Sequence, residues 1–150
     1  MMKGVCVFDI DNTLTCGRNI CDMSKLHYMK ESINMCKSSS MGVVINTARP
    51  PQEDILHSIN PEIRNLLGDN VKVYSRSRNS VFSVEEQKLL NMTTIAKECE
   101  VDVSKTVLVD DLSSTCSLLT QKNIPNIHVN DENGISDKDY SELKRIVESM

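Results

Sequence analysis

Apolar positions along this chain come in two alternating forms, short continuous runs and longer stretches spaced three or four residues apart. Val5-Cys6-Val7-Phe8, Met41 to Ile45, Val71 to Tyr74, Thr106 to Val109 and Ile124 to Val129 are runs of the first kind. Such runs, bounded by charged or turn residues, predict strands buried on both faces. Met23, Leu26, Met29 and Ile33 recur at helical spacing, and Asp22 ahead of them is suited to an N-cap. Further helices are predicted over Glu53 to Ile59, from Pro61 to Leu67 before Gly68, and from Val84 or Glu85 through Leu89, Leu90, Met92, Ile95 and Ala96. Two more are predicted from Ser113 to Gln121 and from Tyr140 to Val147. Pro50-Pro51 fixes a turn or a helix start, and the polar stretch Ser75 to Ser83 reads as loop. Strands alternating with helices mean βαβ units, so the expected fold is α/β: a Rossmann-like, doubly wound, mostly parallel sheet with helices on both faces.

At 150 residues the chain is sized for one domain, 1–150, long enough to bury a core without staples. Aromatics are only 3%, so the core is left to Val, Ile, Leu and Met, and base-stacking platforms are disfavoured. The Met23, Met29 and Met35 face reads as core filling. A net charge of −4 argues against general polyanion binding, though not against a local basic patch. No apolar run approaches the roughly 20 residues of a membrane span, and carboxylates interrupt the N-terminal apolar stretch before it could serve as a signal. A cytoplasmic protein is expected. The six cysteines (Cys6, Cys16, Cys21, Cys36, Cys99 and Cys116) form no Cys-x-x-Cys or zinc-type spacing and are expected as free thiols.

The chemistry concentrates at two strand ends. Asp9 and Asp11 follow the first apolar run, and Asp110-Asp111 follow Thr106 to Val109. In an open α/β sheet, ligands bind beyond the carboxyl ends of the strands, so the two acidic pairs can converge. Crowded carboxylates repel unless a cation holds them, and their hard oxygens suit Mg²⁺.

Asp9-x-Asp11-x-Thr13 after an apolar strand resembles the first motif of the haloacid dehalogenase (HAD) superfamily of phosphotransferases. Val44-Ile45-Asn46-Thr47 resembles the second motif, Lys88 the third, and Val107-Leu108-Val109-Asp110-Asp111 the fourth in its Asp-Asp form. The resemblance spans residues 5 to 111. It implies a Mg²⁺-dependent phosphomonoesterase in which Asp9 attacks phosphorus to form an aspartyl-phosphate. Asp11 would protonate the leaving oxygen and then accept a proton from water. Mg²⁺ would be held by Asp9, the Asp11 backbone carbonyl, Asp110 and, directly or through water, Asp111; an alternative role for Asp111 is to orient Lys88. Thr47 and Lys88 would hold phosphoryl oxygens. Arg49, two residues past Thr47, is a candidate substrate contact or a surface arginine. Arg76 and Arg78 are exposed charges before they are substrate contacts. His27, His57 and His128 receive no catalytic role.

Neither the Thr15 to Asp22 gap nor the Arg49 to Lys88 gap can hold a cap domain. Capless relatives act on large phosphorylated substrates or borrow a neighbouring subunit as lid, so a homo-oligomer completing the site is one expectation. A small sugar or nucleotide phosphate is another candidate substrate. The chain departs from the family pattern at Asn12, where many members carry Gly, and at Ser114, where a further acid is common. Two alternatives share the same residues: phosphoryl transfer to another acceptor, as in mutases, and a catalytically idle phosphate-binding module.

Overall fold

Local capping signals set where the helices start. The structure, a computed structural model, describes residues 2–130 and 133–150. Asp22 accepts the Lys25 amide and opens α1 (Met23–Ser38), as its position in the sequence predicts. Asn60 caps α2 (Pro61–Leu67), whose first residue is the proline. Ser83 and Glu86 form a capping box at the head of α3 (Val84–Glu98), and α4 spans Ser113–Gln121. Ser136 and Asp139 form a second box at α5 (Asp137–Glu148). Apolar spacing alone placed that last helix three residues late, because its first turn is polar.

The strands are β1 (Gly4–Phe8), β2 (Met41–Asn46), β3 (Val73–Tyr74), β4 (Thr106–Asp110) and β5 (Asn126–His128). They form one parallel sheet in the order β3-β2-β1-β4-β5. β3 and β5 are shorter than the apolar runs that predict them. Pro125 has no N–H to give the ladder, and β5 begins after it. The expected helix over 53–59 is instead a run of turns, with the His57 amide on the Asp54 carbonyl and the Ile59 amide on that of Leu56. A seven-residue segment hemmed by Pro51 and the Asn60 cap is too short to sustain a helix of its own; its Ile55 and Ile59 still reach the core.

Helices cover both faces. Cys6 and Phe8 of β1 point into a core with Met29 and Ile33 of α1, Ile63 of α2 and Leu143 of α5. Val5 and Val7 point the other way, onto Met92 and Ile95 of α3 and Leu119 of α4. The alternation along β1, with all five residues buried, is the doubly wound α/β arrangement that the continuous apolar runs predict. Among the described residues no cap domain interrupts it: residues 9–22 form a short turn-rich loop, and residues 47–83 contribute α2 and β3. Among the described residues, no helix is long and apolar enough to cross a membrane.

The expectation of six free thiols is overturned. Cys6 of β1 is bonded to Cys36 of α1, and Cys16 to Cys21 within the loop after β1; Cys99 and Cys116 are free. The fold supplies what spacing could not show: α1 lies on the β1 face that carries Cys6, and the tight loop folds Cys21 back toward Cys16, which it meets beside an antiparallel bridge to Asn19.

Candidate functional site

Strand pairing carries Asp9 and Asp110 to the same place. β1 and β4 are central neighbours, with Phe8 opposite Val109, and the Asp9 amide extends the ladder to the Val109 carbonyl at 3.0 Å. The chain runs from β1 to β2 on one side and from β4 to β5 on the other, so this is the switch point of the sheet, where α/β folds bind ligands. Asp9 is 3% exposed and Asp110 fully buried. Asp111 is half-buried, and one oxygen from each of Asp9, Asp110 and Asp111 lies within 4.8 Å of the others.

Lys88 reaches this cluster from α3. It is 1% exposed, and its Nζ donates to Asp9 Oδ1 at 3.0 Å and to Asp110 Oδ2 at 2.6 Å. Burying two carboxylates beside a single ammonium leaves negative charge in excess, and the electrostatics follow. Burial pushes the Asp9 carboxyl well above the usual carboxylate range and the neighbouring Asp110 pushes it further, against the pull of Lys88. Asp110 is also raised by burial, partly offset by Lys88 and by the Leu112 amide, which it accepts at 3.0 Å. Burial alone would lower the Lys88 ammonium; the two carboxylates outweigh it and hold the group above its ordinary value.

The other predicted residues are distributed around this centre. Past Asp9 the chain leaves the strand, turning through Asn12 in the left-handed region at φ 60°. This turn sends Asp11 outward. Its carboxylate is not among the three clustered ones; Arg49 holds it bidentately, Nε to Oδ2 at 3.0 Å and a terminal nitrogen to Oδ1 at 2.5 Å. The same-face placement that a continuing strand would have given Asp9 and Asp11 is therefore absent. Arg49 in turn is anchored by its own amide, which donates to Thr47 Oγ1 at 3.1 Å. Thr47 is fully buried just beyond β2, and the register of Phe8 with Ile45 puts it at the same sheet end as Asp9. Arg76 is turned to the Phe82 carbonyl at 2.8 Å, within its own loop.

Sequence reasoning missed several neighbours. Asn12 Nδ2 donates to Asp111 Oδ2 at 3.2 Å, Thr13 Oγ1 meets Asp9 Oδ2 at 3.4 Å, and a His128 ring nitrogen lies 3.1 Å from the Asp111 carbonyl oxygen. Asn12 could have been found, since Asn is among the few residues that accept a left-handed turn while offering a side-chain donor. His128 carried no signal, because its contact depends on β5 lying beside β4.

Chemically, the arrangement offers a carboxylate with one oxygen tied to an ammonium, and three carboxylates whose oxygens lie within 4.8 Å of one another. On the neighbouring loop a buried threonine accepts the Arg49 backbone amide, and the Arg49 guanidinium holds Asp11. No protein-family model and no curated protein matches the chain. Solved structures do resemble it. An uncharacterized protein from Corynebacterium glutamicum aligns over 99% of this chain and 96% of that one at 15% identity, with a TM-score of 0.67. A hypothetical protein from Xanthomonas campestris aligns over 99% and 84% at 16% identity, TM-score 0.57. A chain of the Pnkp1/Rnl/Hen1 RNA repair complex aligns over 91% of this chain at 18% identity, TM-score 0.55, and this chain spans 44% of its length. At such identities the shared property is the fold alone.

Proposed function

We propose that this protein is a Mg²⁺-dependent phosphomonoester hydrolase of the HAD type, with Asp9 as nucleophile. One observation carries the reading: Asp9, Asp110 and Asp111 meet at the sheet's switch point while Lys88 binds the first two. A structural ion pair would need one carboxylate; three around one lysine leave a charge deficit that a cation would fill.

The residues present fit Mg²⁺. Asp9, Asp110 and Asp111 supply hard oxygens, and burial and mutual repulsion hold two of them in a state a divalent ion would relieve. Bound there, the ion supplies charge neutralisation between an anionic nucleophile and an anionic phosphate. The chain's own residues do the rest. Lys88 ties down Asp9 Oδ1, and we assign Oδ2 to the attack on phosphorus. As the Oδ2–P bond forms, the bond from phosphorus to the ester oxygen breaks, and Asp11 gives that oxygen its proton. Water then attacks the aspartyl-phosphate, Asp11 takes the water proton, and the Oδ2–P bond breaks to release phosphate. Arg49 moves from Asp11 to the phosphoryl oxygens when substrate arrives, which frees the Asp11 carboxyl for the leaving oxygen. Thr47 holds the backbone at Arg49 for this exchange.

The site has no cap over it, which suits a phosphate at the end or on the surface of a larger molecule. Because one fold neighbour belongs to an RNA repair complex, nucleic-acid ends stand first in a substrate screen, ahead of phosphopeptides and of sugar and nucleotide phosphates. The decisive experiment is hydrolysis of p-nitrophenyl phosphate with Mg²⁺ and with EDTA, alongside Asp9→Asn. Mg²⁺-dependent turnover abolished by the substitution supports the reading. Turnover that persists within tenfold in Asp9→Asn would end the nucleophile assignment, and turnover only with an added alcohol acceptor would favour phosphoryl transfer.

A further inference from the structure

Behind Lys88 lies a run of amides that the proposed chemistry does not use. Asn46, the last residue of β2, is fully buried, and its Nδ2 donates to the Lys88 carbonyl at 3.1 Å. Its Oδ1 accepts from Asn91 Nδ2 at 2.9 Å, and Asn91, less than one helical turn after Lys88 on α3, is 8% exposed. The same Asn91 nitrogen donates to the Ser75 carbonyl at 3.1 Å. Asn91 Oδ1 accepts from Gln87 Nε2 at 3.0 Å, and Gln87 Oε1 from the Ser80 hydroxyl at 3.2 Å. Three segments are joined: the end of β2, the first half of α3, and the loop between β3 and α3.

Satisfying the backbone does not require this. A carbonyl inside an α-helix already has the amide four residues on as partner, so Asn46 is a second donor to Lys88. Filling space does not require it either, since an apolar pair of the same shape would fill it without the risk of orphaned polar groups. What the amides add is direction. α3 otherwise rests on the sheet through Met92 and Ile95, contacts that resist separation but barely resist sliding or rotation. Lys88 cannot tolerate either motion, because its Nζ must meet carboxylates at the ends of two different strands at 3.0 and 2.6 Å. β2 is the fixed reference, being in register with β1, which leads into Asp9.

We infer that Asn46 and Asn91 are positioning residues, their amide bridge setting the register of α3 against β2 and so holding Lys88 Nζ between Asp9 and Asp110. The placement stands on this geometry alone; its consequence for turnover rests on the hydrolase reading above. The test is the double variant Asn46→Leu/Asn91→Leu beside each single one. Removing both partners with side chains of similar shape leaves neither amide of the bridge orphaned. It costs only the Asn91 contacts to Gln87 and Ser75 and the second donor to the Lys88 carbonyl, whereas each single change orphans the remaining buried amide. Two readouts are taken: acetylation of Lys88 by acetic anhydride, followed by peptide mass spectrometry, and kcat and KM for p-nitrophenyl phosphate with Mg²⁺. In the folded double variant, Lys88 labelling rises at least about tenfold. Its kcat falls about 10- to 100-fold with KM nearly unchanged, the scale of a misplacement near 1 Å. A double variant with Lys88 still protected and kcat intact overturns the inference. If the wild-type protein does not turn over the ester, labelling alone decides: an exposed Lys88 upholds the positioning role while the hydrolase reading fails. Should the double variant not fold, Asn91→Asp, which keeps the acceptor for Gln87 and loses the donor to Asn46, is put through both measurements with the same criteria.

Discussion

The two acidic pairs leave the sheet in different ways. At the end of β4 the chain stays close: Asp110 accepts the Leu112 amide, α4 starts at Ser113, and Asp111 remains within reach of Asp9 and Asp110. At the end of β1 the chain turns away through Asn12, and Asp11, its side chain 51% exposed, is carried to Arg49. In each pair the first acid is placed by strand pairing and buried against Lys88, and the second is placed by the turn that follows. Strand geometry therefore makes the charged centre, while turn geometry decides whether the next acid joins it or turns outward.

The sharpest way to break this contrast is to neutralise the first acid of the β1 pair. Asp9→Asn should cost on the order of 10⁴-fold or more in kcat, as removal of a nucleophile does, with the fold intact by circular dichroism. Removing the cation common to both pairs comes next. Lys88→Ala leaves Asp9 and Asp110 buried without their partner, and urea unfolding in EDTA should show a loss of about 3–5 kcal/mol. Mg²⁺ should raise the Tm of that variant by more than it raises the wild type; equal shifts would mean the carboxylates do not share a cation site. Asp11→Asn, altering the outward acid, should lower kcat about 100-fold yet leave stability nearly unchanged. Arg49→Lys loses the two-pronged geometry and should raise KM about tenfold with a smaller change in kcat; an unchanged KM would place Arg49 outside the substrate's reach.

The smallest effect is in pH dependence. Because burial raises the Asp9 and Asp110 carboxyls, the metal-free native state binds more protons than the unfolded chain above the ordinary carboxylate range. Its stability should then fall as pH rises through that window, by linkage. Asp9→Asn should flatten the slope in urea midpoints measured with EDTA, and parallel profiles for the two proteins would contradict the assigned shift. Cys116 offers an internal control: burial pushes its thiol up to about 12, so alkylation at pH 8 should leave it unmodified in the folded protein.

Much of this was legible in the chain. Continuous apolar runs reveal the five strands because a parallel strand covered on both faces needs nothing else, and Asp22 and Pro61 announce their helices through capping chemistry. Asp9 and Asp110 could be singled out because each closes an apolar run that the pattern draws, whereas Thr47 and Lys88 came only through the family resemblance. Less was legible wherever a turn decides the outcome. A strand that continued regularly would put Asp11 on the face of Asp9, and the left-handed turn at Asn12 prevents it. The Cys6–Cys36 and Cys16–Cys21 bonds depend on which face α1 covers and how the following loop folds back, neither of which spacing encodes. The Asn46–Asn91 bridge lay unnoticed because a buried amide has no periodicity.

The strand order has a consequence for how the chain is made. β1 can pair with β2 as soon as residue 46 is available, but its other edge stays open until Thr106 to Asp110 arrive. Throughout that interval a growing chain presents an unpaired central strand, with Val5 and Val7 lacking the α4 part of their cover. Closing that gap joins residues about a hundred positions apart, a slow step in chain search. Asp110 is delivered by that same closure, so the pairing that joins the two halves of the sheet also completes the charge cluster.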